Sequence, residues 1–367
     1  MGQDQRTYDF NLIMHIALLV DYYDPPLGGG EITFRVLLKS LLVLKIRITI
    51  VQNSQNGTNE VIEKDGFHIC KLNDVEEKTK IMGQLKPDLI ISGGYAVPHA
   101  QLLGSILQIP VWCYVQSIDH FCPAPGSMPN CERNCGQCKY YNDKFDFIHM
   151  QKEAVAKIDK IFTVSNYLKQ QITFFTGRND IEILRPATEL IKYDLNQSGN
   201  NKLILSTGSP YKGLHIFLGI SQLLPNHKFW IVGNSDPVSY GFDLNQFSNV
   251  SYSGWIDNAA MYRDCKYILI PTPGPEGYPR VAPEAMANGI IPIGANFGGT
   301  PEAIGNGGVL INNHLDPNEW VKKILELDAD ENLRNSYKSN MQQEIERVDP
   351  AAIIREFKRH IIEFKNN

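Results

Sequence analysis

Residues 276–304 read EGYPRVAPEAMANGIIPIGANFGGTPEAI, and this stretch decides the fold. Pro283 suits the first position of a helix, where a missing N–H costs nothing, and Gly289 suits its carboxyl-terminal cap. A short helix is therefore expected around 282–287. The apolar run 291–295 that follows is a buried strand, and Asn296 to Ile304 forms a glycine turn with the start of another helix. One helix, one strand and one glycine turn in under thirty residues make a unit of a parallel sheet covered by helices.

Working outward, the same alternation recurs in both directions. Strand-like runs lie at 203–207, 228–232, 250–253 and 267–270, with a helix from about 213 to 223. Upstream, strands are expected at 13–20, 46–52, 88–92, 111–115 and 160–164, and the first half closes at 183–186. In the segment 31–44, Phe34, Leu37, Leu38, Leu41 and Leu42 follow the i, i+3, i+4, i+7, i+8 spacing of one apolar helical face. Ser165 is placed to cap a helix over 165–175. The fold class is thus α/β, with two Rossmann-like doubly wound parallel-sheet domains facing a central cleft. The first is expected over 1–187 as the acceptor-binding domain and the second over 188–350 as the nucleotide-sugar donor-binding domain, and the cleft at the carboxyl ends of the strands is where a ligand would bind.

Composition agrees. The 367 residues suit about two domains at roughly 150 residues each. With 43% hydrophobic and 20% charged residues, the chain can bury large cores, which excludes wholesale disorder. A net charge of −5 argues against a dedicated nucleic-acid binder. The longest apolar stretch, 12–20, is far short of the ~20 residues that cross a bilayer. Residues 1–10 are polar and lack the features of a signal peptide, so they are read as a tail and the chain as cytoplasmic. Arg35, Lys39, Lys45 and Arg47 suit either a solvated helix face or peripheral contact with a membrane.

Three further patterns carry chemistry. Gly28-Gly29-Gly30-Glu31 lies between a strand and a helix start, where backbone amides and the helix amino terminus favour phosphate. Neither a GxGxxG fingerprint nor a P-loop is present there. Ser209-Pro210-Tyr211-Lys212-Gly213 puts a cation directly before a helix, a receiver for a diphosphate. Glu276 and Glu284 stand eight positions apart across a loop-to-helix junction with Arg280 and Val281 between them. Carboxylates grip sugar and ribose hydroxyls, whereas cations and helix amides grip phosphate, so the set fits a nucleotide-sugar. Dipole complementarity alone would account for Glu284 at about 0.3 to 1 kcal/mol.

Together these segments resemble the retaining family 4 glycosyltransferases of the GT-B fold (glycosyl transferases group 1), from Met14 to the last helix. The resemblance implies a nucleotide-diphosphate sugar as donor, retention of anomeric configuration and no catalytic metal. Gly29 and Gly30 would lie near the sugar diphosphate, Ser209 and Lys212 at the pyrophosphate, Glu284 on the ribose and Glu276 on the donor sugar. It also implies a glycan, lipid-linked or small-molecule acceptor, and a final helix over 351–367 crossing back onto the first domain. In 351–364, Ile353, Ile354, Phe357, Ile361 and Phe364 keep helical spacing and need a surface to cover.

The chain departs from the family pattern at three places. Thr207, Ser209 and Pro210 occupy the turn where many members carry an arginine, which leaves Lys212, with Arg280 as a substitute, to neutralise the pyrophosphate. Gln116 stands where members often have a histidine, and His120 would reach the site only through a rearranged loop. Pro279 and Pro283 replace the usual Gly and Leu. Alternatives of the same architecture are a sugar-nucleotide epimerase or phosphorylase, and a nucleotide-sugar-binding homologue with little turnover.

Cys122, Cys131, Cys135 and Cys138 crowd one loop. Four thiolates suit a structural zinc site or an iron-sulfur cluster, and reduced thiols or a local disulfide are equally open. Asp328-Ala329-Asp330 is read as a solvated helix terminus rather than a metal-binding pair.

Overall fold

The computed structural model describes residues 14–26, 28–122, 145–188, 190–195 and 201–366, for 145 and 146 the backbone alone. The expected tail and Cys131, Cys135 and Cys138 lie outside the described residues.

The first half runs β1 (His15–Leu19), α1 (Gly29–Leu41), β2 (Arg47–Asn53), β3 (Glu60–Lys64), β4 (Phe67–Leu72), α2 (Val75–Leu85), β5 (Leu89–Ser92), α3 (Val97–Leu107), β6 (Val111–Val115), α4 (Phe145–Lys157), β7 (Lys160–Thr163), α5 (Asn166–Thr176) and β8 (Ile181–Ile183). The second half runs β9 (Lys202–Leu205), α6 (Leu214–Leu223), β10 (Lys228–Ile231), β11 (Val250–Tyr252), α7 (Asn258–Asp264), β12 (Cys265–Ile270), α8 (Val281–Ala287), β13 (Ile291–Ala295), α9 (Thr300–Ile304), β14 (Val309–Ile311), α10 (Pro317–Ala329), α11 (Glu331–Glu346) and α12 (Pro350–Asn366).

Two sheets result. The first has the order β3-β4-β2-β1-β5-β6-β7-β8, parallel throughout except for β3 against β4. The second has the order β11-β10-β9-β12-β13-β14, with every pair parallel. In both, the order reverses beside the first strand: between β1 and β5 in one, between β9 and β12 in the other. Such a reversal parts the flanking loops and opens a crevice at the carboxyl ends of the strands. The strands are apolar because helices cover both faces; β1, β5, β6 and β13 are buried at every position.

Local sequence explains where the helices begin. Ser165 caps α5 by accepting from Leu168 N–H at 3.2 Å, as its position predicts. Pro283 is the third residue of α8, not the first, with Arg280 at the cap; it is still within the turn whose N–H groups have no helical partner. The apolar face of α1 buries Phe34, Leu37, Leu38 and Leu41, while Leu42 continues into a short 3-10 turn.

The hairpin β3–β4 is a correction. No strand is expected between 52 and 88, yet the largely polar Glu60–Lys64 pairs with the more apolar Phe67–Leu72 and adds an antiparallel edge to the first sheet. Its turn is Asp65-Gly66, both with positive φ (57° and 83°), the backbone that a two-residue hairpin turn needs.

The last helix returns to the first domain. Ile353, Phe357 and Ile361 are buried in its core, with Ile354 and Phe364 packed against it. Phe364 meets the Trp112 ring at 5.4 Å and Phe357 meets Phe162 at 6.5 Å. Full burial of each such side chain stabilises by about 1.5–3 kcal/mol as an upper bound. His360, also buried, faces Lys160 through Nδ1 at 2.9 Å and Glu182 through Nε2 at 2.8 Å.

Asp328 is not a solvated helix end. Its carboxylate takes Lys266 at 2.6 Å, His227 at 2.8 Å and the Tyr267 hydroxyl at 2.9 Å, tying α10 to the second sheet, and these partners hold its acidity strong despite burial. Asp330 caps α11 through Leu333 N–H. Arg35, Lys39 and Arg47 are likewise engaged, with Asp24, Asp65 and His15. No described helix is long and apolar enough to cross a membrane.

Candidate active site

A cavity of about 620 Å³ lies between the two sheets, where both strand orders reverse. The second domain lines it with Lys212, Glu276 and Arg280, and the first with Gly29, Gly30 and Gln116 among others.

Lys212 stands in the turn after β9. Ser209, buried, starts that turn by accepting from Tyr211 N–H at 3.2 Å, which sets the lysine at the mouth of α6. Lys212 Nζ reaches Glu276 Oε1 at 2.6 Å and Oε2 at 2.8 Å. Glu276 comes from the loop after β12, where the buried Thr272 donates its hydroxyl to Oε1 at 2.9 Å. A diphosphate arriving at Lys212 would take over part of that ion pair and free Glu276 for hydroxyl groups. Thr272 would keep the carboxylate in place meanwhile.

Glu284 stands behind the cavity wall rather than in it. Arg280 Nη2 donates to its Oε1 at 3.2 Å and the Tyr262 hydroxyl to its Oε2 at 3.3 Å. Burial pushes its carboxyl pKa up, with Arg280 and Tyr262 opposing. Val281 opens α8 beside it. Arg280 is committed elsewhere too: Nη1 donates to Gly29 O and Nε to Thr188 Oγ1, both at 3.2 Å. With these contacts in place, the guanidinium ties the glycine turn to α8.

The first domain brings the glycine turn to the same space. Glu31 turns back onto its own helix start, its Oε2 accepting from Gly28 N–H at 2.7 Å. Gln116, after β6, donates from Nε2 to Gly30 O at 3.4 Å. Gly277 lets the walls touch, since a Cβ there would stand 2.1 Å from the Gln116 carbonyl oxygen. Nearby, Glu302 of α9 accepts from Asn166 N–H, Asn166 Nδ2 and Tyr167 N–H at 2.9–3.1 Å, joining the second domain to the start of α5.

Two further residues, His120 and Asp21, belong to this cavity. His120 lines it without any loop rearrangement. The chain doubles back after Ile118, with Phe121 and Cys122 N–H both bonded to Ile118 O, and this brings the imidazole under the Tyr95 ring at 4.8 Å. Burial lowers its pKa. Asp21, directly after β1, also lines the cavity and was not singled out; its place at the end of a central strand beside the strand reversal was the available signal. Of the four-cysteine set, only Cys122 is described; it is half-buried.

Residues 201–330 match the family model described as glycosyl transferases group 1. Among curated proteins, the chain is 22% identical over 328 residues to an uncharacterized 42.6 kDa protein in the cps region of Klebsiella pneumoniae, covering 77% of this chain and 84% of that one. Among solved structures it is similar to the sucrose-phosphate synthase of Thermosynechococcus elongatus, with a TM-score of 0.78 at 16% identity over 96% of this chain and 99% of that one. It is similar also to HepE of Anabaena in complex with UDP, with a TM-score of 0.77 at 17% identity over 95% of this chain and 100% of that one. The shared frame is the two-domain GT-B fold, and the matched domain makes this chain a glycosyltransferase.

Proposed function

We propose that the enzyme is a retaining, metal-independent glycosyltransferase of family 4 that moves a sugar from a nucleotide-diphosphate sugar to a glycan. The observation that carries this reading is the meeting of Lys212 and Glu276 in one cavity with the Gly29–Gly30 turn of the opposite domain. A cation suits the diphosphate, a carboxylate suits the hydroxyls of the sugar, and helix-start amides suit the phosphate from the other side. Anabaena HepE has been solved with UDP-glucose as well as with UDP, which favours a uridine donor here. The relative in the cps region of Klebsiella pneumoniae favours a glycan product.

In this reading the bond from the anomeric carbon to the diphosphate oxygen breaks as the bond to the acceptor oxygen forms on the same face. The acceptor hydroxyl proton passes to the departing phosphate oxygen. Lys212 and the amides stabilise the charge that builds on the diphosphate, while Glu276 holds the sugar and Gln116 closes its far side; Glu284 takes the ribose once Arg280 turns aside from its carboxylate. Contact between the walls would keep water from the activated sugar.

Calorimetry with UDP and UDP-glucose, with and without EDTA, tests the donor. Binding unaffected by the chelator, and weakened about tenfold or more by Glu276→Gln, is expected. Proton NMR of the product tests the stereochemistry, and an inverted anomeric centre, or donor epimerisation without transfer, would overturn the assignment.

A further inference from the structure

The glycine turn before α9 lies against the loop that carries Glu276. Gly299 N–H donates to Glu276 O at 2.7 Å, and a Cβ on Gly299 would collide with Gly277 O, so turn and loop meet backbone to backbone. Further along, on α9, Glu302 leaves the second domain and reaches the start of α5 in the first. Its Oε2 accepts from Asn166 N–H at 3.1 Å and from Asn166 Nδ2 at 2.9 Å, and its Oε1 from Tyr167 N–H at 3.0 Å.

These bonds complete a helix cap. The N–H groups of a helix's first turn have no partner within the helix. In α5, Ser165 Oγ takes that of Leu168 from within the same domain at 3.2 Å, whereas those of Asn166 and Tyr167 go to a carboxylate of the other domain. The helix dipole also favours a negative charge at that end. Phe297, in the turn itself, stands with its ring 6.1 Å from that of Tyr167, so apolar contact backs the same junction. On the other side of the loop, a Cβ on Gly277 would meet the Leu168 side chain of α5 at 3.0 Å and the Gln116 carbonyl oxygen at 2.1 Å. The loop of Glu276 and Gly277 is thus pinned between the glycine turn and the first domain, and Glu302 ties that turn to the same domain.

We propose that Glu302 is a positioning residue for the glycosyl transfer: by capping α5 from the opposite domain, it sets where the Glu276 carboxylate stands in the cleft. Glu302 does not line the cavity; it acts through the backbone bond from Gly299 to Glu276. The inference rests on the reading above, in which Glu276 holds the donor sugar.

Two variants test it, one on each side of the junction. Glu302→Ala removes the cap from the second domain. Asn166→Pro removes two of its three bonds from the first domain. It keeps α5, because Asn166 is the first helical residue, where proline fits, and Ser165 before it is already extended (φ −155°, ψ 160°). Hydrogen exchange at the Gly299 amide, read by mass spectrometry on the ligand-free full chain, is expected to speed up about tenfold in Glu302→Ala and about threefold in Asn166→Pro. Calorimetry is expected to show UDP-glucose weakened by about the same factors and UDP hardly at all, because UDP lacks the sugar that Glu276 holds. Melting curves check that the variants are folded, and Asn166→Pro carries the test alone should Glu302→Ala not fold. Unchanged exchange at Gly299, faster exchange in Glu302→Ala without any in Asn166→Pro, or equal losses of UDP and UDP-glucose would each overturn the inference. UDP that fails to bind the wild type sinks the donor assignment instead, and the Gly299 amide then decides the role of Glu302 by itself.

Discussion

On one side of the cleft, the loops after β9 and β12 present Lys212 and Glu276; on the other, the loops after β1 and β5 present Asp21 and Tyr95. The two pairs sit at equivalent places in sheets of the same winding. One wall nevertheless offers a cation paired to a carboxylate, and the other a carboxylate beside an aromatic ring. Equivalent backbone therefore does not dictate equivalent ligands. The strand reversal makes the space, and a few loop side chains decide what enters it.

The largest effect expected from breaking this asymmetry is at Lys212. Lys212→Ala should lower kcat/KM by about 10²- to 10³-fold, as removal of a preorganised charge partner does in other enzymes. Because the side chain is half exposed, the thermal midpoint should hardly move. Steady-state kinetics and a melting curve on one preparation check both halves.

Separating the walls comes next. In Gly277→Ala the new methyl group would stand 2.1 Å from the Gln116 carbonyl oxygen, so the domains must part or the loop must shift. A destabilisation of about 1–3 kcal/mol is expected, with a larger radius of gyration by solution scattering. An unchanged radius together with full activity would mean that the walls do not meet in the working enzyme.

The smallest effect concerns Glu284, and it sharpens the donor side alone. Burial raises this carboxyl above its ordinary 4.5 in the folded chain. The folded state thus holds the proton to higher pH than the unfolded state does. Its contribution to stability is complete below the ordinary value and is lost as pH rises through the raised one. Glu284→Gln should flatten that decline, by at most about one proton in the slope, while weakening UDP. Melting temperatures from about pH 4 to 7 on both proteins measure it.

Much of the frame was legible because buried parallel strands carry long apolar runs. Val111–Val115 and Ile291–Ala295 have the bounds that their sequences predict. The hairpin β3–β4 escaped because an exposed edge strand such as Glu60–Lys64 keeps polar residues on both faces; Asp65-Gly66 was the cue that went unused. At the cleft, residues in recognisable turns, such as Lys212, Gly29 and Gly30, could be placed on the cavity from spacing. Asp21 and His120 could not be, because each depends on a partner far away in sequence: Tyr95 lies 74 positions beyond Asp21. Glu284 shows a third case, in which the sequence gives the helix position but not that Arg280 stands between the carboxylate and the open space.

The path of α12 has a mechanical outcome. The polypeptide leaves the first lobe after β8 and comes home between Glu346 and Pro350, so two separate strings of backbone bridge the lobes. A single string would let one lobe swivel freely; a pair of strings suppresses twisting and leaves a rocking motion about the line that joins them. The jaws would then part and meet along a fixed track, returning Lys212 to the same spot opposite Asp21 at every turnover.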